Sequence, residues 1–141
     1  MDVYVGYDDV HYEQEILRLT NVEREANGLP ALIWDSRLGA AARSHSTDMA
    51  QRDYFSHISP EGEGPGERLR KEGYSDIWME NIAAGAATPS DVVAGWMGSE
   101  VHRANILNPG FTHVGVGVCY REEATYRYYY TQDFGRIQRV N

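Results

Sequence analysis

The sequence predicts an α+β layered domain, because helix-like patterns occupy the first part of the chain and strand-like patterns occupy its last third. The chain has 141 residues, of which 42% are hydrophobic, so it can bury one sizeable core. It contains no internal repeat, low-complexity tract or Pro/Ser-rich linker that would indicate a second domain. We therefore predict a single domain over residues 10–141, preceded by residues 1–9 as a flexible N-terminal segment or an expression remnant.

The first two helices are predicted from apolar periodicity and from their end signals. The first runs from about Val10 to Ala26, where apolar residues recur at helical spacing, and Asn27-Gly28 supplies a left-handed stop. The second follows Asp35 or Ser36, either of which can cap a helix N-terminus. Small side chains on its apolar face indicate close contact with another element; this face consists of Leu38, Ala41, Ala42, His45 and Met49.

The middle of the chain alternates between loops and helices. We predict a loop from Tyr54 to Gly66 and a short helix from Glu67 to Glu72. The segment Glu80–Ala83 then enters a loop rich in glycine and alanine. A third long helix begins after Thr88, which is followed by a proline suited to the first helical position, and it ends at Gly98.

The last third of the chain is predicted to form an antiparallel strand pair. From Thr112 to Tyr120, branched or aromatic residues alternate with small ones, and Gly115 and Gly117 leave one face nearly bare. A helix or a ligand could therefore approach the backbone closely on that face. The second strand follows a Glu-Glu turn and carries alternating tyrosines at Tyr126, Tyr128 and Tyr130.

Composition excludes several classes of partner. The formal net charge of −8 argues against nucleic acid and, more weakly, against anionic membranes. No apolar run approaches the roughly 20 residues of a membrane-spanning helix, so we expect no integral membrane segment. Cys119 is the only cysteine, so no internal disulfide can form. The first residues lack the pattern of a signal peptide, which leaves either a cytosolic protein or a domain of a longer exported chain.

The candidate functional residues centre on the stretch between the third helix and the first strand. There, Glu100, His102 and Arg103 place a carboxylate, an imidazole and a guanidinium within four residues. Polar residues held between a helix and a strand are a frequent location of binding sites. We predict that His102 meets His57 and Glu80 in one cleft, with Ser56, Ser99 and His113 at the cleft rim.

Two neutral imidazoles on a fixed backbone could hold zinc while leaving coordination positions for water or substrate. Glu80 could orient one histidine or act as a general base on metal-bound water. Alternatively, His57 and His102 only tie loops together, with Glu80 as their hydrogen-bond partner. A serine hydrolase built on Ser56 or Ser99 is a further alternative, although adjacency in sequence does not make a triad.

The order and spacing of several motifs resemble the CAP superfamily, the cysteine-rich secretory protein, antigen 5 and pathogenesis-related 1 group, and in particular its short bacterial members. The resemblance covers roughly Glu15 to Gly135 and therefore implies that residues 10–141 are a CAP domain. It implies an α-β-α sandwich with a central antiparallel sheet. The motifs are Leu19–Arg24, Gly28–Leu32, Phe55–His57, Glu80–Ile82, Trp96, His102–Leu107 and Gly115–Gly117.

The resemblance also implies a surface cleft lined by two histidines and two acidic residues. Carried over residue by residue, His57 and His102 are the two histidines and Glu80 is the first acid. Longer family members have a glutamate three residues after the helix tryptophan, where this chain has Ser99. The neighbouring Glu100 is the candidate substitute, although short bacterial members often lack this acid.

As to function, the resemblance implies an extracellular or cell-envelope domain that binds a ligand or partner in the cleft. Some members bind zinc or another divalent cation there, which makes His57 and His102 the candidate metal ligands. We expect a monomer. Ligands in this family include small molecules, lipids and peptides, and a glycan would also suit exposed tyrosines. No single catalytic activity unites the members, so binding is favoured over catalysis. The alternatives are a metal-dependent hydrolase with Glu80 as its base, and a structural envelope module without catalysis.

Overall fold

A computed structural model describes residues 6–138, which form a five-stranded sheet between two layers of helices. The strand order is β1-β4-β5-β3, with short β2 pairing with β4 in parallel and the other neighbours antiparallel. The strands are Tyr7–Asp8 (β1), Ile33–Trp34 (β2), Trp78–Ala84 (β3), His113–Tyr120 (β4) and Tyr128–Gly135 (β5). The helices are Val10–Ala26 (α1), Ser36–Arg52 (α2), Pro65–Lys71 (α3), Pro89–Met97 (α4) and Glu100–Ile106 (α5). This arrangement confirms the predicted α-β-α sandwich.

The helix end signals operate as the sequence predicts. The Asp35 carboxylate accepts hydrogen bonds from the backbone N–H groups of Arg37 and Leu38, at 2.9 and 3.2 Å, so Asp35 is the cap of α2. The Thr88 hydroxyl accepts from Asp91 N at 3.2 Å at the start of α4. The predicted bounds of α1 agree with the structure at both ends.

Helix α2 lies directly on the bare face of β4. A Cβ atom added to Gly115 would lie 2.0 Å from the backbone nitrogen of Gly39, and one added to Gly117 would lie 2.3 Å from Cα of Arg43. Real Cβ atoms do not approach backbone this closely. The glycines therefore let the helix and the sheet pack backbone to backbone, which confirms the predicted close approach.

The opposite face of the sheet carries the larger hydrophobic core, against α1, α4 and α5. The valines of β4 point into this core, and Trp96 in α4 is 2% exposed. The buried members are Ile16, Leu32, Val92, Val93, Trp96, Ile106, Phe111, Val114, Val116, Val118, Tyr130 and Phe134. Burial of such a set is the main force holding the helical layer to the sheet.

A buried arginine fixes the segment that follows α5. Arg24, at the end of α1, donates from Nε to Pro30 O at 2.9 Å. Its Nη1 donates to Ile106 O and Asn108 O, at 2.8 and 3.0 Å. Ile106 O lies at the C-terminal end of α5, so Arg24 satisfies a carbonyl that the helix leaves free and holds α5 at a defined place against the rest of the domain.

Four parts of the secondary structure differ from prediction. Glu80–Ala83 belongs to strand β3 rather than to a loop, because it pairs with β5 over seven residues. The stretch Glu100–Ile106 is a helix, and short β2 was not predicted at all. Residues 7–8 pair with β4 as β1, so this part of the predicted flexible segment is ordered in the sheet, while residues 1–5 lie outside the described residues. Between residues 6 and 138, no helix has the length and apolar character needed to span a membrane.

Candidate functional site

His57 and Glu80 meet directly at the edge of the sheet. His57 lies in the loop before α3, and its Nδ1 is 2.8 Å from Oε1 of Glu80 in β3. The His57 side chain is 47% exposed, whereas that of Glu80 is 1% exposed. The carboxylate therefore holds the inner ring nitrogen and leaves the other nitrogen, Nε2, on the exposed part of the ring.

Glu80 sits in a buried charged cluster. Arg68 Nη2 lies 3.2 Å from both carboxylate oxygens of Glu80, and Asp133 is its direct cross-strand partner on β5. Burial opposes ionisation of Glu80, but the hydrogen bond from His57 and the Arg68 charge hold its pKa below the ordinary value. Burial and the neighbouring Glu80 charge instead raise the pKa of Asp133 well above its ordinary value. The opposite shifts favour an ionised Glu80 beside a protonated Asp133.

The loop that carries His57 is tied down by buried side chains. Arg68 Nη2 donates to His57 O at 3.0 Å, and its Nη1 donates to Glu63 O at 3.2 Å. His45 Nε2 lies 2.7 Å from Ser56 O, so it must be the protonated nitrogen, because a carbonyl can only accept. This confirms His45 as a hydrogen-bonded core histidine. The position of His57 is therefore set by backbone contacts on both sides of it.

Stability is expected to depend on pH through His45. Burial lowers the pKa of His45 from 6.5 to about 4, so the unfolded chain binds a proton between these values that the folded protein does not. Stability should therefore be complete above pH 6.5 and decline by about 3 kcal/mol as pH falls towards 4. Urea unfolding of wild type and His45→Gln across this range tests this. The variant should lose most of this slope, and an unchanged slope would contradict the assignment.

His102 approaches from the helical layer on the other side. Its Nδ1 is 2.8 Å from the hydroxyl of Ser99, the residue before α5. Partial burial lowers the pKa of His102, and the nearby charge of His57 lowers it further. Asn81 Nδ2 donates to His102 O at 3.2 Å and Asn105 Nδ2 donates to Asn81 Oδ1 at 2.8 Å, which anchors α5 to β3.

Glu100 does not take part in this arrangement. It lies two positions before His102 on α5, which places the two side chains about 200° apart around the helix axis. Glu100 lines a separate groove with Met97, Arg103 and Leu107. The residue at the position of the second acid, Ser99, is instead the one that contacts the histidine.

The structure places the other two predicted rim residues, His113 and Ser56, in different surroundings. His113 lies two strands away from Glu80, since β5 separates β4 from β3, and it lines a groove with Arg24, Ile33 and Phe111. It is therefore not at the rim of this cleft. Ser56 neighbours His57 in sequence, but its hydroxyl accepts from Ile58 N at 3.1 Å rather than contacting a histidine.

The residues fit a cation site with two protein ligands. Each imidazole has its Nδ1 occupied, by Glu80 for His57 and by Ser99 for His102, and each Nε2 is left to coordinate. Within residues 6–138, no group of three or more His, Cys, Asp or Glu side chains is arranged to hold a metal ion. A structural four-ligand zinc site is thus not built here, and water or a ligand would have to complete the coordination.

Sequence reasoning missed Arg68 and Asp133. Arg68 is one of three basic residues in α3, and nothing local distinguishes it from exposed Arg70 and Lys71. One feature of the sequence could have indicated Asp133. It shares a strand face with Tyr129 and Thr131, and a charged residue at such a core position needs a partner.

Comparison with known proteins identifies the fold and the family. The model of the cysteine-rich secretory protein family, CAP, matches residues 17–134. The uncharacterized protein YkwD of Bacillus subtilis (strain 168) is 48% identical over 107 residues, which cover 75% of this chain and 42% of YkwD. The chain thus spans less than half the length of this relative.

Two solved structures extend the comparison. An extracellular protein containing a SCP domain from Bacillus anthracis superposes with a TM-score of 0.80 at 38% identity, covering 90% of this chain and 41% of that one. An outer surface protein of Borrelia burgdorferi gives a TM-score of 0.83 over 95% of this chain and 100% of that chain, at 18% identity, which shows likeness of fold alone. Both neighbours are extracellular or surface proteins.

Proposed function

The chain belongs to the cysteine-rich secretory protein (CAP) family, and from this premise we propose that it is the ligand-binding domain of an exported bacterial protein. Its cleft takes a divalent cation, zinc first, between His57 and His102. The cation in turn offers open positions to an external ligand with an oxygen or nitrogen donor. The extracellular and surface locations of the structural neighbours support a place outside the cell or in the envelope.

The observation that carries this proposal is the pairing of each imidazole through Nδ1. A carboxylate on the far nitrogen of His57 fixes the ring tautomer and raises the basicity of Nε2, as is usual behind a metal-bound histidine. Ser99 plays the corresponding orienting part for His102. When bound, zinc would supply a positive charge and a Lewis-acid position in the cleft.

The burial of Glu80 favours binding over hydrolysis. Its side chain is 1% exposed and is held by Arg68 and His57, so it is poorly placed to take a proton from a solvent molecule in the cleft. The hydrolase alternative on Ser99 lacks a completed triad as well. Among the described residues, no hydrogen bond or ion pair joins a carboxylate to His102, whose Nδ1 faces Ser99.

Zinc titration of the purified domain by calorimetry tests the proposal. We expect His57→Ala/His102→Ala to weaken zinc binding by about 100-fold or more, because two direct ligands are lost. The matched control is His11→Ala/His113→Ala, which also removes two histidines but leaves the cleft intact. Zinc binding should weaken further as pH falls below about 6.5, when imidazoles protonate.

The outcomes separate the alternatives. Equal zinc affinity of the wild type and the cleft variant would remove the cation site and leave a structural envelope module. If zinc binds as expected, a panel of peptide, ester and glycan substrates is assayed with zinc present. Turnover that disappears in the cleft variant would replace the binding proposal by a metal-dependent hydrolase.

A further inference from the structure

The buried guanidinium group of Arg68 contacts both Glu80 and the backbone of the loop that carries His57. Nη2 contacts both oxygens of Glu80 at 3.2 Å and donates to the His57 carbonyl at 3.0 Å. Nη1 donates to Glu63 O at 3.2 Å, six residues further along the same loop. The side chain is 4% exposed. The same group thus touches the acid that orients His57, the backbone of His57 and the far end of its loop.

This arrangement differs from an ordinary ion pair on a helix. Arg70, in the same short helix, has a side chain that is 61% exposed and lies 3.9 Å from Glu67. A surface pair of this kind contributes little. A guanidinium can serve several acceptors in one plane, whereas a lysine ammonium acts as a flexible point charge. The contacts of Arg68 require that planar fork.

We propose that Arg68 is a positioning residue of the cleft, which holds His57 so that its Nε2 faces His102. It acts at two levels. It compensates the buried charge of Glu80, so that the carboxylate can accept from His57 Nδ1. It also anchors the His57 backbone, so that the ring cannot swing away with its loop. This inference rests on the proposed cation site, but the ring geometry that it predicts exists without the cation.

The surroundings of Arg68 allow a direct experiment. Arg68 lines a groove of about 530 Å³ together with His45, Ser59 and Glu63, and His57 is not among its lining residues. Its buried Nε has no hydrogen-bond partner among the described residues. Truncation of Arg68 to alanine would therefore open a cavity beside a solvent-filled groove, which free guanidinium ion can enter.

We expect Arg68→Ala to weaken zinc binding by about 10- to 100-fold, the usual effect of removing a group that orients a metal ligand. Millimolar guanidinium chloride should restore most of the lost affinity, while equimolar sodium chloride should not. Arg70→Ala, from the same helix, is the matched control and should bind as the wild type does. If Arg68→Ala does not fold, Arg68→Lys replaces it, because it keeps a positive charge beside Glu80 but lacks the fork.

A second readout separates failure of this inference from failure of the proposed function. Ring ¹⁵N shifts of His57, measured by NMR without metal, report whether Nδ1 carries the proton bonded to Glu80. We expect a single fixed tautomer in the wild type and in Arg70→Ala, and a mixture in the Arg68 variant. If the wild type binds no zinc, the shifts alone decide: a fixed tautomer in the Arg68 variant overturns the positioning role, and a mixture upholds it. Wild-type zinc affinity in the folded Arg68 variant would also overturn it.

Discussion

Replacing Gly117 by valine is expected to prevent folding of the domain or to destabilise it by at least about 4 kcal/mol. The first carbon of the new side chain would lie 2.3 Å from the backbone nitrogen and Cα of Arg43 and 2.4 Å from the carbonyl carbon of Ala42. These atoms belong to the backbone of α2, which cannot turn aside as a flexible side chain can. Relief would require lifting the helix from the sheet, and domains of this size are only about 5–15 kcal/mol stable.

A glycine from α4 provides the control for this prediction. A Cβ on Gly95 would meet no atom within 4 Å, and the residue is exposed in the helix. Gly95→Ala should therefore stabilise the domain by about 0.5–1 kcal/mol, through the lower entropy of the unfolded chain. Urea unfolding monitored by circular dichroism measures both changes. A folded Gly117→Val variant with wild-type stability would contradict the close packing of α2 on β4.

The same close packing determines what can lie behind the cleft. Gly115 is the register partner of Asp133, which in turn is the partner of Glu80. All three side-chain positions face α2, and the absence of a side chain on Gly115 brings the helix down onto this row. His45 of α2 therefore lies close to Glu80 and Arg68, and the charges of both groups act on its imidazole. The close contact between α2 and the glycines of β4 thus keeps water away from the side of Glu80 and Asp133 that faces α2.

Local features of the fold were predictable from sequence because they are encoded in neighbouring residues. The bounds of α1 follow from apolar spacing ended by Asn27-Gly28, and the starts of α2 and α4 follow from side chains that cap them. The contact between α2 and β4 was predictable because alternation places all the glycines of β4 on one face. Each of these inferences uses a single element and its own period.

Strand β3 was not predictable in the same way. Its two faces are both covered, so its sequence lacks the alternation of polar and apolar residues that marks a half-exposed strand. Its identity as a strand depends on pairing with β5, which lies about 50 residues later in the chain. The partners of Glu80 come from α3 and β5, and no local pattern joins Arg68 and Asp133 to it.

The cleft shows what a family resemblance adds and what it leaves to the structure. The resemblance drew attention to His57, Glu80 and His102, of which the first two are in direct contact. It also left Glu100 as a candidate for the second acid. Helical geometry excludes that role, because the neighbouring Ser99 precedes α5 and can reach His102, whereas Glu100 points to another groove.

The second large effect concerns Glu80 and Asp133, the acidic pair behind the cleft. Two similar substitutions at these residues are expected to change the stability of the domain by unequal amounts. Asp133 is held in its protonated, neutral form, so Asp133→Asn replaces one neutral group by another of nearly the same shape. At pH 4, we expect this change to alter stability by no more than about 1 kcal/mol. Glu80→Gln instead removes the charge that compensates buried Arg68, and we expect a loss of about 3 kcal/mol or more.

The pH dependence of stability tests this contrast further. When folding raises the pKa of a carboxyl group, the folded protein loses stability as pH rises. The folded protein keeps the proton on Asp133 while the unfolded chain releases it above about pH 3.8, so Asp133 by itself makes the wild type less stable as pH rises, opposite in sign to the contribution of His45. An amide at this position cannot titrate, and the Asp133→Asn variant should therefore gain stability relative to the wild type between pH 4 and pH 8. Urea unfolding at both pH values measures this difference alongside that of Glu80→Gln. If Asp133→Asn proved the more damaging substitution at pH 8, the proton would reside on Glu80, and the carboxylate that orients His57 would have to be reassigned.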